Sequence, residues 1–183
     1  MIEIRLHGRG GQGSVKASMI LAEAAFQGGK YVQAFPRFGV ERRGAPVEAF
    51  TRIDDKPVQI RSQIYYPDGI IVLDPTLIEV IDVTSGLKKN GWILINSDKK
   101  PDDFNFDNHY KVYTVDATKI AVENHLGSRA APIVNTAIVG AFAKITGEVE
   151  MKAVEKGIDS AIPRMREENK KAAYQAYDSI KLN

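Results

Sequence analysis

The fold turns on Ile2-Glu3-Ile4-Arg5-Leu6-His7-Gly8-Arg9-Gly10-Gly11-Gln12-Gly13 and on the stretch from Ser14 to Gln27 that follows it. Ile2–Leu6 alternates apolar and polar residues, the period of a strand with one well-buried face. The glycine cluster then breaks the strand. From Ser14 onward Val15, Met19, Ala22 and Phe26 recur at helical spacing, which predicts one buried helical stripe. Ser14 stands where an N-cap belongs, and Gly28-Gly29 ends the helix. A strand, a glycine turn and a helix in that order make the opening unit of an α/β fold. Glycines there permit positive φ and let backbone N–H groups reach an anion, while the helix adds its positive dipole end.

Working outward, Tyr31 to Phe38 reads as extended, and Pro46 to Ile53 as another alternating strand. Ile70-Ile71-Val72-Leu73 is a buried strand whose exit is written in Asp74-Pro75, a capping acceptor followed by proline at the first helical position. Trp92–Ile95 and Val112–Val115 are two further buried strands, the last followed by Asp116 as a cap. Strands spaced by helix-sized segments predict right-handed crossovers and a largely parallel sheet. The stretch from Pro46 to Tyr66 resembles a hairpin and adds antiparallel strands at one side, so the sheet is mostly parallel or mixed. Pro132 to Gly147 is apolar nearly all round, which predicts a helix buried in the domain or against another subunit. The tail from Met151 to Asn183 reads as two helices broken near Pro163, the last with Met165, Ala172, Ala176 and Ile180 on one side. The whole, residues 1–183, is expected to be a single Rossmann-like three-layer α/β domain with a helical C-terminus.

Composition narrows the functions. The 183 residues carry 25 basic and 23 acidic side chains, a net charge of +2, which disfavours a strongly basic nucleic-acid binder. There is no cysteine, so the chain holds no thiolate-bound iron–sulfur cluster or zinc and has no cysteine nucleophile. His7, His109 and His125 stand in no metal-ligand spacing. No run reaches the roughly 20 apolar residues of a membrane span, and Met1–Arg5 lacks a signal-peptide pattern. The expectation is a cytoplasmic protein with no membrane and no nucleic-acid partner.

Gly8-Arg9-Gly10-Gly11-Gln12-Gly13 satisfies G-x-G-x-x-G in the strand-to-helix context that pattern requires. An anion site is one reading, with Arg9 adding a charge-assisted contact; a tight turn with close packing is the other. A dinucleotide site would want an acidic residue about 20 positions on. None lies between Glu23 and Glu41, and the position falls near Gln33. NAD loses support, and NADP survives only through the nearby Arg37. Phe35 to Gly44 contains Arg37, Arg42 and Arg43, and seven of the ten arginines precede residue 62. Arg42 and Arg43 suit phosphate or carboxylate, but equally an ion pair or an interface. Phe35 and Phe38 offer faces for a planar group. Asp74, Asn96 and Asp116 fall at the carboxyl ends of strands, where open α/β sheets bind ligands, although capping explains both aspartates more cheaply. Asn135-Thr136, polar at the entrance of an apolar helix, need a partner in backbone, glycine loop or ligand. No histidine forms an acid–base set with an acid near it in the chain.

Four separated motifs bring a family into view. Ile4 to Gly13, Phe35-Pro36 with Glu41 to Val47, Leu73-Asp74-Pro75-Thr76, and Pro132 to Ala137 resemble, in order and spacing, the gamma subunit of 2-oxoacid:ferredoxin oxidoreductases. The pyruvate branch is the nearest in pattern, with the 2-oxoisovalerate and 2-oxoglutarate branches as alternatives. The resemblance implies a subunit of a complex that decarboxylates a 2-oxoacid oxidatively and makes an acyl-coenzyme A. It further implies that thiamine diphosphate, magnesium and iron–sulfur clusters sit on alpha, beta and delta partners, which pass electrons to ferredoxin. For this chain it implies a structural and coenzyme A-facing role, without catalytic residues or metal ligands of its own. Gly8, Gly10, Gly11 and Gly13 would supply the phosphate loop and Arg9 a direct contact. Arg42 and Arg43 would be secondary contacts, with Gln12 and Asn135 as polar orienters. Two other readings stay open: a pure scaffold, and a free-standing NADP-linked oxidoreductase.

Overall fold

A computed structural model of the protein describes residues 1–37 and 44–182. Six strands form one mixed sheet: β1 (Ile2–Arg9), β2 (Tyr31–Pro36), β3 (Pro46–Asp54), β4 (Gly69–Val72), β5 (Trp92–Asn96) and β6 (Lys111–Val115), in the order β2-β3-β1-β4-β5-β6. β1, β4, β5 and β6 are parallel neighbours, whereas β3 runs antiparallel to both β1 and β2. Two residues each of β7 (Gly127–Ser128) and β8 (Ala131–Pro132) make a small separate hairpin. The helices are α1 (Ser14–Gln27), α2 (Ala117–Glu123), α3 (Asn135–Thr146), α4 (Met151–Ala161) and α5 (Arg166–Ser179). The expected mixed α/β sheet, the glycine turn after the first strand and the helical C-terminus are all present.

Side-chain alternation divides the sheet's two faces. Ile4, Leu6, Ile71, Leu94 and Val115 point into one core with residues from all five helices. Ile70, Val72, Ile93 and Ile95 point the other way, against Leu77, Val83 and Leu87. Each such aliphatic side chain contributes about 1.5–3 kcal/mol by leaving water. The second face is therefore covered by irregular chain, not by a helical layer. Between β4 and β5 the chain makes only a 3-10 turn, Pro75–Glu79, which Asp74 caps as expected through its bond from the Thr76 amide at 3.0 Å. The β-branched Ile78, Val80, Ile81 and Val83 disfavour propagation, and Asp82 starts a new turn by accepting from the Thr84 amide.

α1 forms where expected but buries another face. Met19 and Phe26 are 48% and 60% exposed, while Ala17, Ile20, Leu21, Ala24 and Ala25 are fully buried. The reason is close approach: a Cβ on Gly157 of α4 would collide with Ala24, so small residues face the partner helix and large ones turn out. Ser14 is not the N-cap. Gly13 holds that position with φ +83°, and Ser14 is the first helical residue.

The expected hairpin from Pro46 to Tyr66 is also corrected. β3 pairs with the preceding β2, and no strand follows it before Gly69. Buried Arg52 substitutes for a partner strand there. It donates to Glu3 Oε1, to Gln33 Oε1 and to the Ser62 carbonyl, all at 2.8 Å, which ties residues 60–63 to the sheet. α3 starts at Asn135, not Pro132, and Asn135–Ala143 are all buried. Its apolar circumference is thus satisfied inside the domain; a Cβ on Gly140 would run into the α5 backbone at Ala173. α4 and α5 break around Pro163 as expected, with Ala172, Ala176 and Ile180 inward, but Met165 lies largely exposed. No helix of the described residues is long and apolar enough to cross a membrane.

Candidate functional site

The carboxyl ends of β1, β4 and β5 open on a cleft of about 650 Å³. Gly10–Gly13 form one side, Leu73–Pro75 and Asn96 the floor beneath the strands, and Ala130–Asn135 the opposite wall. The amino ends of α1 and α3 both meet it, and such termini carry unpaired N–H groups and positive dipole ends.

The glycine loop is held by bonds to its neighbours. The Gly10 amide donates to the Ala45 carbonyl at 2.9 Å, so it is engaged within the chain and faces no ligand. Among the described residues, the Gly11 and Gly13 amides have no hydrogen-bond partner. Gly13 is required twice over: its φ is +83°, and a Cβ there would stand 2.9 Å from Asn135 Nδ2. Gly8 belongs to β1 and packs against Ser14.

Arg9 is differently placed from what its sequence position suggests. Its Nε donates to Asp74 Oδ2 at 3.0 Å, one terminal nitrogen to Thr76 Oγ1 at 2.8 Å and the other to the Gly44 carbonyl at 3.1 Å. Gln12 joins the same carboxylate through Nε2 at 2.8 Å, while its Oε1 accepts from the Arg9 amide at 2.8 Å. Burial alone would raise the Asp74 carboxyl, but hydrogen bonds from Thr76 and Gln12 and the Arg9 charge outweigh it, so Asp74 stays below its ordinary value. Asp74 is a latch between the loop and the end of β4, and its charge cancels that of Arg9. The direct contact expected of Arg9 is therefore replaced by a positioning one.

Asn135 is the cleft residue left with an unmet polar atom; away from the cleft, His7 Nδ1 is buried without a hydrogen-bond partner as well. Asn135 is 5% exposed, and its Oδ1 is buried with no partner. Thr136 beside it bonds to Asn169 Oδ1 on α5 at 2.9 Å, and so has its partner in the fold. Asn96 is equally settled: its Nδ2 donates to the Leu73 carbonyl at 2.9 Å and its Oδ1 accepts from the Thr118 amide at 3.1 Å. Asp116 caps α2 by accepting from the Lys119 amide at 2.8 Å. Phe35 packs against Phe50 in a tilted pair and lies under Arg52, within the protein. Phe38, Arg42 and Arg43 fall outside the described residues.

Two features escaped the sequence. The wall Ala130–Val134 belongs to a hairpin whose strands are too short for any period to register. The β1–β3 register also sets His7 opposite Glu48, with His7 Nδ1 3.7 Å from Glu48 Oε1, a pairing 41 positions apart in the chain. Burial, reinforced by the Arg5 charge, lowers His7 from 6.5 to about 4. Arg5 Nε donates to His7 Nε2 at 3.1 Å, which fixes a neutral ring with its proton on Nδ1. The order of strands bears on the cofactor as well. β3 separates β1 from β2, so Gln33 stands two strands from the glycine loop, which removes the remaining support for a dinucleotide site.

A cleft at the carboxyl ends of parallel strands, walled by a glycine turn and two helix amino ends, is the place where α/β proteins of this class hold small polar or anionic ligands. Residues 3–179 match the pyruvate ferredoxin/flavodoxin oxidoreductase family, and the chain belongs to it. It is 58% identical over 181 residues to pyruvate synthase subunit PorC of Methanocaldococcus jannaschii, covering 98% of this chain and 97% of that one. The pyruvate/ketoisovalerate oxidoreductases common subunit gamma of Pyrococcus abyssi is 54% identical over 186 residues, covering 100% and 98%. Among solved structures, pyruvate oxidoreductase subunit PORC of Thermotoga maritima superposes with a TM-score of 0.81 at 38% identity, covering 98% of this chain and 97% of that one. The family resemblance read from four motifs is borne out.

Proposed function

We propose that this chain is the gamma subunit of a pyruvate synthase and that its cleft receives the phosphorylated part of coenzyme A. The complex would convert pyruvate, coenzyme A and oxidised ferredoxin to acetyl-coenzyme A, carbon dioxide and reduced ferredoxin. Alpha, beta and delta partners in the cytoplasm would carry thiamine diphosphate with magnesium and the iron–sulfur clusters. The observation that carries the cleft assignment is Asn135. A buried amide oxygen without a partner costs about 1–3 kcal/mol. Of the two unpartnered buried side-chain atoms among the described residues, His7 Nδ1 and Asn135 Oδ1, only the latter borders the cleft, where a ligand can complete it. The residues present fit the cosubstrate: Gly11 and Gly13 amides with no partner among the described residues for phosphate oxygens, and an amide beside them for a pantetheine-like amide. Coenzyme A supplies the thiol that accepts the acyl group. This chain binds and orients it, and Gly13 and Asn135 are the orienting pair.

A gamma chain that is common to two oxidoreductases, as the Pyrococcus relative is named, supports placing the choice of 2-oxoacid on the other subunits. Hydrogen exchange in the intact complex tests the proposal. Coenzyme A is expected to slow exchange of the amides from Gly11 to Ser14, and unchanged exchange refutes it. The scaffold reading draws on the internal engagement of Arg9. It predicts protection of the loop on subunit association, whether or not coenzyme A is present.

A further inference from the structure

We infer that Arg129 supplies the positive charge that meets the ligand's phosphate in this cleft. The inference rests on the coenzyme A reading and adds to it a residue that neither the glycine loop nor the resemblance assigns. Arg129 occupies the turn between β7 and β8, and the residues directly after it, Ala130 to Asn135, make one wall of the cleft. The hairpin is firmly rooted. The Ile133 amide donates to the Leu126 carbonyl at 2.9 Å, and the Ala131 amide donates to Ser128 Oγ at 3.1 Å across the turn.

Charge makes the argument. A phosphate in the cleft meets the partial charges of two helix ends, yet the Arg9–Asp74 pair adds no net charge. Among the described residues several other basic groups are already engaged, Lys119 after the lining Thr118 with Glu123 at 4.0 Å among them. Arg37 pairs with Glu48 at 2.7 Å, Arg5 is buried against backbone carbonyls, and Lys16 donates to the Ala161 carbonyl at 2.9 Å. Among the described residues Arg129 is exposed and in no ion pair, and it directly precedes Ala130 of the cleft wall. A guanidinium suits this place because it presents a planar fork of donors to phosphate oxygens and keeps its charge at any working pH. Asn135 reads a neutral part of the ligand at the inner end of the wall while Arg129 holds its charged part at the rim.

Steady-state kinetics of the assembled complex tests this with Arg129→Gln, Arg129→Lys and, as a reference, Asn135→Leu. Arg129→Gln leaves a polar, hydrogen-bonding side chain, shorter than arginine, and removes its charge. It is expected to raise KM for coenzyme A at least about 10-fold, the usual weight of a charge-assisted hydrogen bond, with KM for pyruvate little changed. Arg129→Lys is expected to fall between wild type and Arg129→Gln. An unchanged KM in Arg129→Gln with a raised KM in Asn135→Leu overturns the role of Arg129 and leaves the cleft reading standing. An unchanged KM in both overturns the cleft reading itself. A change in Arg129→Gln that affects pyruvate equally overturns the inference too, since a displaced hairpin would produce it.

Discussion

Replacing Asn135 with leucine is expected to stabilise the free chain while weakening the assembled enzyme's grip on coenzyme A. Leucine has the same γ-branched shape, and the site is 95% buried, so the substitution removes an amide oxygen that has no partner and adds apolar contact. An unsatisfied buried polar group costs about 1–3 kcal/mol, and an apolar group of the same shape relieves it. Part of that gain is offset by crowding against Gly13, whose Cα faces the Asn135 amide, and overpacking of this kind costs about 1 kcal/mol or more. The net expectation is about 1–2 kcal/mol of added stability, or about 2–8 °C in Tm for a chain of this length. Calorimetry of the purified chain, beside urea unfolding with m unchanged, measures it. A Tm lowered by several degrees would mean that Asn135 makes a bond important to the fold, and the reasoning that assigns it to a ligand would fail.

Two other outcomes follow from the buried interior. Because the folded protein keeps His7 neutral down to about pH 4 while the unfolded chain protonates it near 6.5, its contribution is complete above about pH 6.5. It is lost as pH falls toward 4 and level below that, a loss of about 3 kcal/mol; His7→Gln should lose correspondingly less stability across this window in urea unfolding, and parallel curves would count against the burial argument. Gly140→Ala, which drives a methyl into the α5 backbone at Ala173, is expected to lower stability by about 1–3 kcal/mol despite alanine's better helix propensity, and a rise in Tm would show that α3 and α5 can separate at no cost.

The parts of the fold that could be read from the sequence were those whose cause is local. Ile70–Leu73 and Trp92–Ile95 are short apolar runs bounded by turns, and Asp74 and Asp116 cap what directly follows them. The glycine turn and the α4–α5 break are local in the same sense, and the mixed sheet is expected from the alternating strand at Pro46 to Ile53. Misread features depend on distant partners. The burial of α1 through its alanines is decided by Gly157 on α4, and the position of β2 beyond β3 by pairing that no period records. At the site, the glycine motif and Asn135 could be found in the sequence because polar groups at an apolar helix entrance demand an explanation. The fate of Arg9 could not, since its carboxylate lies 65 residues away, and neither could the hairpin wall.

The knot of Arg9, Gln12 and Thr76 around Asp74 is tied as the chain folds, before any guest arrives. A glycine-rich segment is ordinarily the part of a protein with the most freedom to lose, and here that freedom has already gone. On the coenzyme A proposal, association would carry a smaller entropic penalty for freezing the loop, and more of each contact's strength would be expressed as affinity. The proposed receptacle would thus be furnished in advance of its ligand.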